Sequence, residues 1–175
     1  MKIKASLMFW GILFATTLSS QGSEAYADKV IYDLPIVTST QSWGVMGENC
    51  AAHELGKEPL KLQIGDKVYD KGIGTHAKSV ITLDLLGKYE TFNAEIGVQQ
   101  YGNSWENHSS IIFKVIVDGE NKFESGIMTM QSPAQKICIA VAGAVEMSLV
   151  VEDAGDGINS DLANWADAYL VESDE

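Results

Sequence analysis

Two segments constrain what this chain can fold into. In Val145-Glu-Met147-Ser-Leu149-Val-Val151-Glu, the residues Val145, Met147, Leu149 and Val151 recur at a period of two. Ile111-Ile-Phe113-Lys-Val115-Ile-Val117-Asp alternates the same way, although Ile112 and Ile116 make its other face half apolar. A period of two marks a strand with one buried side. Further strands are predicted over Val30–Val37, Leu60–Ile64, Val80–Leu85, Phe92–Val98, Lys136–Val141 and Trp165–Val171. Turn residues separate them at Ile64-Gly-Asp66, Leu86-Gly-Lys88, Asp118-Gly119 and Ala142-Gly-Ala144, and Asp118-Gly119 is the best tight-hairpin signal. Short strands with regular turns indicate an all-β, two-sheet sandwich. No segment after residue 28 keeps a 3.6-residue period, and only a short helical turn near Cys50–Leu55 is expected.

Residues 1–27 read as a secretory signal peptide. Lys2 and Lys4 precede an apolar run, Leu7 to Leu18, that is too short to span a bilayer. Ala25-Tyr26-Ala27 then offers a small-x-small cleavage site. Residues 28–175 are read as one secreted or periplasmic domain, with no membrane insertion once the signal is removed. The formal net charge of −12, with no arginine in the chain, disfavours nucleic acid and anionic membranes. It suits neutral ligands or a hard cation such as calcium. A solvated acidic surface accounts for most of the charge in any case.

Cys50 and Cys138 are the two cysteines. In a secreted chain they invite one disulfide; two separate buried thiols are the alternative. In Ile137-Cys-Ile139-Ala-Val141 the branched residues share one face and Cys138 takes the other.

Gly72-x-Gly74-x-x-Ala77 formally matches a dinucleotide fingerprint. That motif must open a helix, and here an alternating strand follows. The better reading is a glycine-permitted strand connection that places His76 at a sheet edge or mouth. Near the C-terminus, Asp153, Asp156, Asn159 and Asp161 crowd a glycine-rich turn. Aligned on Asp156-Gly157 as an EF-hand, the loop would begin at Glu152, carry Ala154 at its third position and end on Ala163 without the bidentate carboxylate, so that reading fails. Loop carbonyls with one or two carboxylates could still complete a calcium site, and an Asx-rich turn capping its own backbone explains the same residues. Trp43 and Trp105 stand in amide-rich loops, where an indole suits the C–H face of a sugar, or the core. Trp165 opens the last predicted strand and is expected in the core. No nucleophile elbow, triad context or meaningful carboxylate spacing points to an enzyme.

Six ordered landmarks carry a resemblance. They are Ser42-Trp43-Gly44, Leu60-x-Leu62-x-Ile64-Gly65, Tyr69-x-Lys71-Gly72-Ile73-Gly74-Thr75-His76-Ala77, Phe92-x-Ala94-x-Ile96-Gly97-Val98, Val117-Asp118-Gly119 and Asp153–Ala168. Together they resemble the NPCBM/NEW2 domain family, from about Asp33 to Leu170. The resemblance implies a galactose-binding-like jelly roll that is non-catalytic and binds galactose-type glycans. It also implies structural calcium, for which Asp153, Asp156 and Asp161 are the candidates. Under it, Trp43 would be the sugar platform, and His76, Gln99, Asn103, Asp161 and Asn164 would supply hydrogen bonds. The chain departs from the family's Gly-Val-Asp-Asp with Gly97-Val98-Gln99-Gln100, and from its Asp-His-Ala-Asp-Trp with Asp161-Leu162-Ala163-Asn164-Trp165. The alternative is a structural or adhesive protein-interaction module on the same fold that has lost sugar binding.

Overall fold

The computed structural model describes residues 29–101 and 108–174. The predicted signal peptide, Asn103 and Trp105 lie outside the described residues. Thirteen strands are described: β1 Val30–Ile31, β2 Ile36–Gln41, β3 Gly47–Glu48, β4 Leu62–Ile64, β5 Lys67–Tyr69, β6 Gly72–His76, β7 Ser79–Asp84, β8 Tyr89–Val98, β9 Ile111–Val117, β10 Glu120–Met128, β11 Gln135–Ala140, β12 Glu146–Asp153 and β13 Leu162–Glu172. No helix occurs among the described residues, and the helical turn expected near Cys50 is absent. In its place His53 forms an antiparallel bridge with Val45.

Two antiparallel sheets stack as a jelly-roll sandwich. One runs β11-β8-β13-β6-β3, with β1 also paired to β13; the other runs β10-β9-β12-β7-β2. The predicted strand over Val30–Val37 is two strands, because the chain crosses from one sheet to the other around Pro35. A proline without an N–H suits such a break. Asp118 and Gly119 both take positive φ in the turn between β9 and β10. That is what a two-residue hairpin of this hand requires.

The alternating faces meet in the middle. Met147, Leu149 and Val151 of β12 and Ile111, Phe113, Val115 and Val117 of β9 are buried against Phe92, Ile96 and Leu170 of the opposite sheet. Trp165 is fully buried, edge-on to Phe113 at 5.0 Å and tilted on Phe92 at 6.3 Å.

The predicted disulfide is not formed. Cys50 and Cys138 are both free thiols, Cys50 half-buried and Cys138 exposed. Cys138 is on the outer face of the edge strand β11, as the alternation of its neighbours requires. The Cys50 segment lies across β6 instead, near Gly74. Three strand spacings separate β6 from β11, about 14 Å at 4.8 Å each, whereas a disulfide needs Cα atoms within about 7 Å.

Gly74 explains the glycine motif upstream of His76. A Cβ there would come within 2.5 Å of the backbone of Ala51 and Ala52. The glycine lets residues 50–52 lie flat across β6, and that segment forms one wall of the site.

Candidate functional site

One end of the sandwich gathers the ends of β2, β6, β8, β10 and β12 and the starts of β7, β9 and β13. The connections there enclose a pocket of about 520 Å³ that Trp43, His53, Leu60, His76, Tyr101 and Ser160 help to line. This falls within the range of small-molecule sites, about 300–1,000 Å³.

Trp43 and His76 form its aromatic corner, with ring centroids 5.3 Å apart and planes tilted by 48°. Trp43 is 43% exposed, so its indole presents surface to the pocket. Its backbone is held by neighbours rather than by its own burial. Gln41 Nε2 donates to the Trp43 carbonyl at 2.6 Å, while Gln41 Oε1 accepts from Thr75 Oγ1 at 2.9 Å. Ser42 Oγ accepts from the Lys78 N–H at 2.9 Å. The Trp43 loop is thereby fastened on both sides of His76.

His76 is 5% exposed, and its Nδ1 lies 2.6 Å from the carbonyl of Ala77. A carbonyl can only accept, so Nδ1 carries the proton and Nε2 keeps its lone pair. Burial holds the imidazole pKa below its usual value, opposed by the hydrogen bond to Ala77. His76 is therefore neutral near pH 7, with one acceptor nitrogen for a hydroxyl.

The opposite wall comes from the C-terminal turn. Tyr101 Oη donates to the Ser160 carbonyl at 2.7 Å. Asp161 is fully buried beneath it. Its Oδ1 accepts from the Ser110 N–H at 3.1 Å, and its carbonyl accepts from the Ala77 N–H at 2.9 Å. Asp161 thus joins three loops under the pocket instead of lining it. Burial is the main cause that pushes its pKa up to about 6, with Asp156 and Asp153 adding to the rise and the Ser110 N–H opposing it.

Gln99 and Asn164 also leave the surface. Gln99 Oε1 accepts from the Asn164 Nδ2 at 2.6 Å and from the Gln63 N–H at 3.1 Å, and Gln99 Nε2 donates to the carbonyls of Lys61 and Gln100. Asn164 Nδ2 also donates to the Gln63 carbonyl at 3.2 Å. Both side chains are buried in this network, which fastens β4 onto the larger sheet. The reason is positional. Asn164 pairs with Gly97 inside the sheet, and Gln99 directly follows β8 with its N–H on the Leu162 carbonyl, so both side chains lie beneath β4. Of the six predicted sugar contacts, Trp43 and His76 line the pocket, Gln99, Asp161 and Asn164 are buried around it, and Asn103 lies outside the described residues.

The calcium candidates are split. Among the described residues no three His, Cys, Asp or Glu side chains are grouped to hold a metal. Asp153 pairs with Lys78 Nζ at 3.1 Å, and Asp156 takes Ser110 Oγ at 2.8 and 2.9 Å from its two oxygens. Asp161 Oδ2 is buried without a hydrogen bond of good geometry, with the Ser109 hydroxyl as its neighbouring donor. The fit is partial: one poorly satisfied carboxylate oxygen, a second carboxylate nearby and loop carbonyls.

Several lining residues have no sequence signature of their own. Tyr101, His53 and Ile158 sit in segments without periodicity, and Leu60 opens an alternating run that marks it only as a strand residue. Leu60 reaches the pocket because its carbonyl accepts from the Ala51 N–H across the turn.

A two-sheet jelly roll with an aromatic-cornered pocket among the loops of one end is a carbohydrate-binding-module fold. The chain belongs to the NPCBM/NEW2 domain family, whose family model matches residues 27–171. Among solved structures it is similar to the second CBM51 module of Clostridium perfringens ZmpB in complex with GlcNAc. The TM-score is 0.74 and the identity 30%, over 82% of this chain and 31% of that one. It is similar also to the CBM51 of Clostridium perfringens GH95 in complex with methyl-galactose. There the TM-score is 0.67 and the identity 30%, over 81% of this chain and 99% of that one. A curated relative from Renibacterium salmoninarum, named "Putative endo-alpha-N-acetylgalactosaminidase", is 28% identical over 176 residues. That match takes in 90% of this chain and 11% of the relative, so the chain spans about a ninth of that protein's length.

Proposed function

We propose that this chain is a secreted, non-catalytic glycan-binding module whose site is the Trp43–His76 pocket. One observation carries the reading: a part-exposed indole fixed beside a buried neutral imidazole, at the mouth of a pocket. The indole offers a platform for the C–H face of a sugar, and Nε2 of His76 offers an acceptor for a hydroxyl. An interaction module that had lost sugar binding would have no use for this corner and could pack both rings away. The methyl-galactose and GlcNAc complexes of the two Clostridium perfringens neighbours support glycans as the ligand class, and galactose-type sugars remain in the proposal. The signal-peptide reading of residues 1–27 supports a secreted or periplasmic location. The test is calorimetric titration of the mature chain against a panel of common sugars. Dissociation constants on the order of 10 μM to 1 mM are expected for a monosaccharide in an open site. A folded sample that binds no glycan would favour the protein-interaction reading.

The His76 lone pair makes the proposed binding pH-dependent. Protonation of Nε2 turns the acceptor into a donor and places a charge in a desolvated site. Because burial lowers the pKa, affinity should hold from pH 8 down through the usual histidine range near 6.5 and fall only below it. Linkage gives stability the same sign. The unfolded chain takes up this proton first as pH falls, so the contribution of His76 is complete above about pH 6.5 and is lost toward acid. Titrations at pH 8, 6.5 and 5 check this; His76→Gln should flatten the profile.

Calcium stays part of the proposal at the 153–161 turn, held by Asp161 and Asp156 with backbone carbonyls. If it binds there, a chelator lowers the melting temperature by several degrees, and Asp156→Ala removes the response. An identical melting curve with and without chelator would leave a turn that caps itself.

A further inference from the structure

The outer face of the larger sheet carries a row of side chains that the loop-end pocket does not use. Cys138 on β11 pairs with Asn93 on β8, and Asn93 pairs with Tyr169 on β13. Residues directly opposite across antiparallel strands stand on the same face, so the three line up across the sheet. Tyr32, just past the end of β1, adds a fourth member: its ring lies 5.5 Å from that of Tyr169, tilted by 50°. We infer that this row is a second glycan site, which takes the interior of an extended, neutral polysaccharide chain and not a chain end.

Shape supports a chain. The row crosses β11, β8, β13 and β1, three strand spacings or about 14 Å, longer than one sugar ring. Tyr32 is 47% exposed and lines two cavities, of about 460 and 480 Å³. The first also takes in Asn93, Cys138 and Tyr169, and the second Asn49 and Lys71. A single exposed tyrosine would mean little; this one ends an aligned row and joins two hollows. Two phenol rings set at an angle offer platforms for the C–H faces of successive sugars, and the amide offers partners for their hydroxyls.

Charge supports a neutral chain. Glu95 and Asp167 border the row. Lys67 Nζ meets Glu95 at 2.9 Å and Asp167 at 3.7 Å, and Lys136 Nζ lies 3.6 Å from Glu95. Two carboxylates and two ammonium groups cancel there, in a chain of net charge −12. A polyanion would find no surplus of cations on this face and would be repelled by the rest of the molecule. The row is also separate from the Trp43 pocket. Leu162 is the cross-strand partner of His76, and the run along β13 from Leu162 to Tyr169 is about 20 Å at 3.3 Å per residue. The inference therefore stands whether or not that pocket holds a sugar.

The exposed Cys138 thiol reports on the row directly. The mature chain is titrated by calorimetry with hexasaccharides of β-1,4-linked glucose, mannose, galactose and galacturonic acid. It is then alkylated with iodoacetamide with and without each, and peptide mass spectrometry separates Cys138 from Cys50. At a concentration about four times its dissociation constant, at least one neutral hexasaccharide should slow Cys138 alkylation about fivefold. Methyl galactoside and the galacturonic acid chain should leave the rate unchanged. Trp43→Ala should keep the protection, whereas Tyr32→Ala and Asn93→Ala should each remove most of it with the far-ultraviolet spectrum unaltered. No protection by any neutral hexasaccharide, protection lost with Trp43→Ala, or protection that survives both Tyr32→Ala and Asn93→Ala would overturn the inference. None of those results would touch monosaccharide binding in the Trp43 pocket, which the earlier titrations read on their own.

Discussion

Replacing Gly74 by alanine is expected to lower the melting temperature by about 10 °C, although it adds a single methyl group. The new Cβ would lie 2.5 Å from Ala51 Cα and from Ala52 N. Those are backbone atoms, so no rotamer change relieves the clash. Overpacking of this kind costs about 3 kcal/mol at its upper end. For a domain of this size that is about 10 °C. The effect should reach the site as well. The segment forced off β6 carries Ala52 and His53 into the pocket wall, and Leu60 is tied to Ala51. Glycan affinity should therefore fall even at temperatures where the variant is fully folded. Thermal melts paired with titration at 15 °C measure both effects. A variant as stable as the parent would mean that residues 50–52 do not lie against β6.

Trp43→Ala should weaken glycan binding at least tenfold, near 1.4 kcal/mol, and leave the fold intact. Trp43 lines the pocket and is 43% exposed, so it is not part of the buried core. The hydrogen bonds that fix its loop use the Trp43 carbonyl and Ser42 Oγ, not the ring, and they survive truncation. The expected signature is an unchanged far-ultraviolet spectrum, a melting temperature within about 3 °C of the parent and a raised dissociation constant. His76→Ala should also reduce binding, with a larger loss of stability because His76 is buried. Binding that survived both substitutions would place the sugar elsewhere.

The strands legible in the sequence are those with one dry face. β12 and β9 sit at the centre of their sheet, so burial writes a period of two into them. β10 is an edge strand with two register shifts and Gly126 at positive φ. Its sequence Glu-Asn-Lys-Phe-Glu-Ser-Gly-Ile-Met keeps no alternation, and sequence reasoning missed it. β6 reads as a glycine-rich connection for the opposite reason. It is covered on both sides, and glycine is what fits under residues 50–52. The disulfide expectation failed because cysteine count and compartment say nothing about which strands are neighbours.

The site divides along the same physical line. Trp43 and His76, which line the pocket, stand out chemically in the sequence as an indole among amides and a histidine after glycines. Gln99 and Asn164 carry equally polar side chains, but sequence does not reveal whether an amide faces solvent or a buried backbone. Here the Gln63 backbone and each other's side chains claim them. Leu60 and Ile158 carry no polar signal, and only the three-dimensional closure of the loops brings them to the edge of the pocket.

The most direct measurement is an amide and indole NMR titration of the isotope-labelled mature chain with the methyl glycosides of galactose and N-acetylglucosamine. Saturable shifts should be largest at the Trp43 indole N–H, His53, His76, Ser160 and Leu162, and small on the outer face of β8 and β11. Shifts confined to other surfaces, or none at millimolar sugar in a folded sample, would contradict the assignment of this pocket as the glycan site.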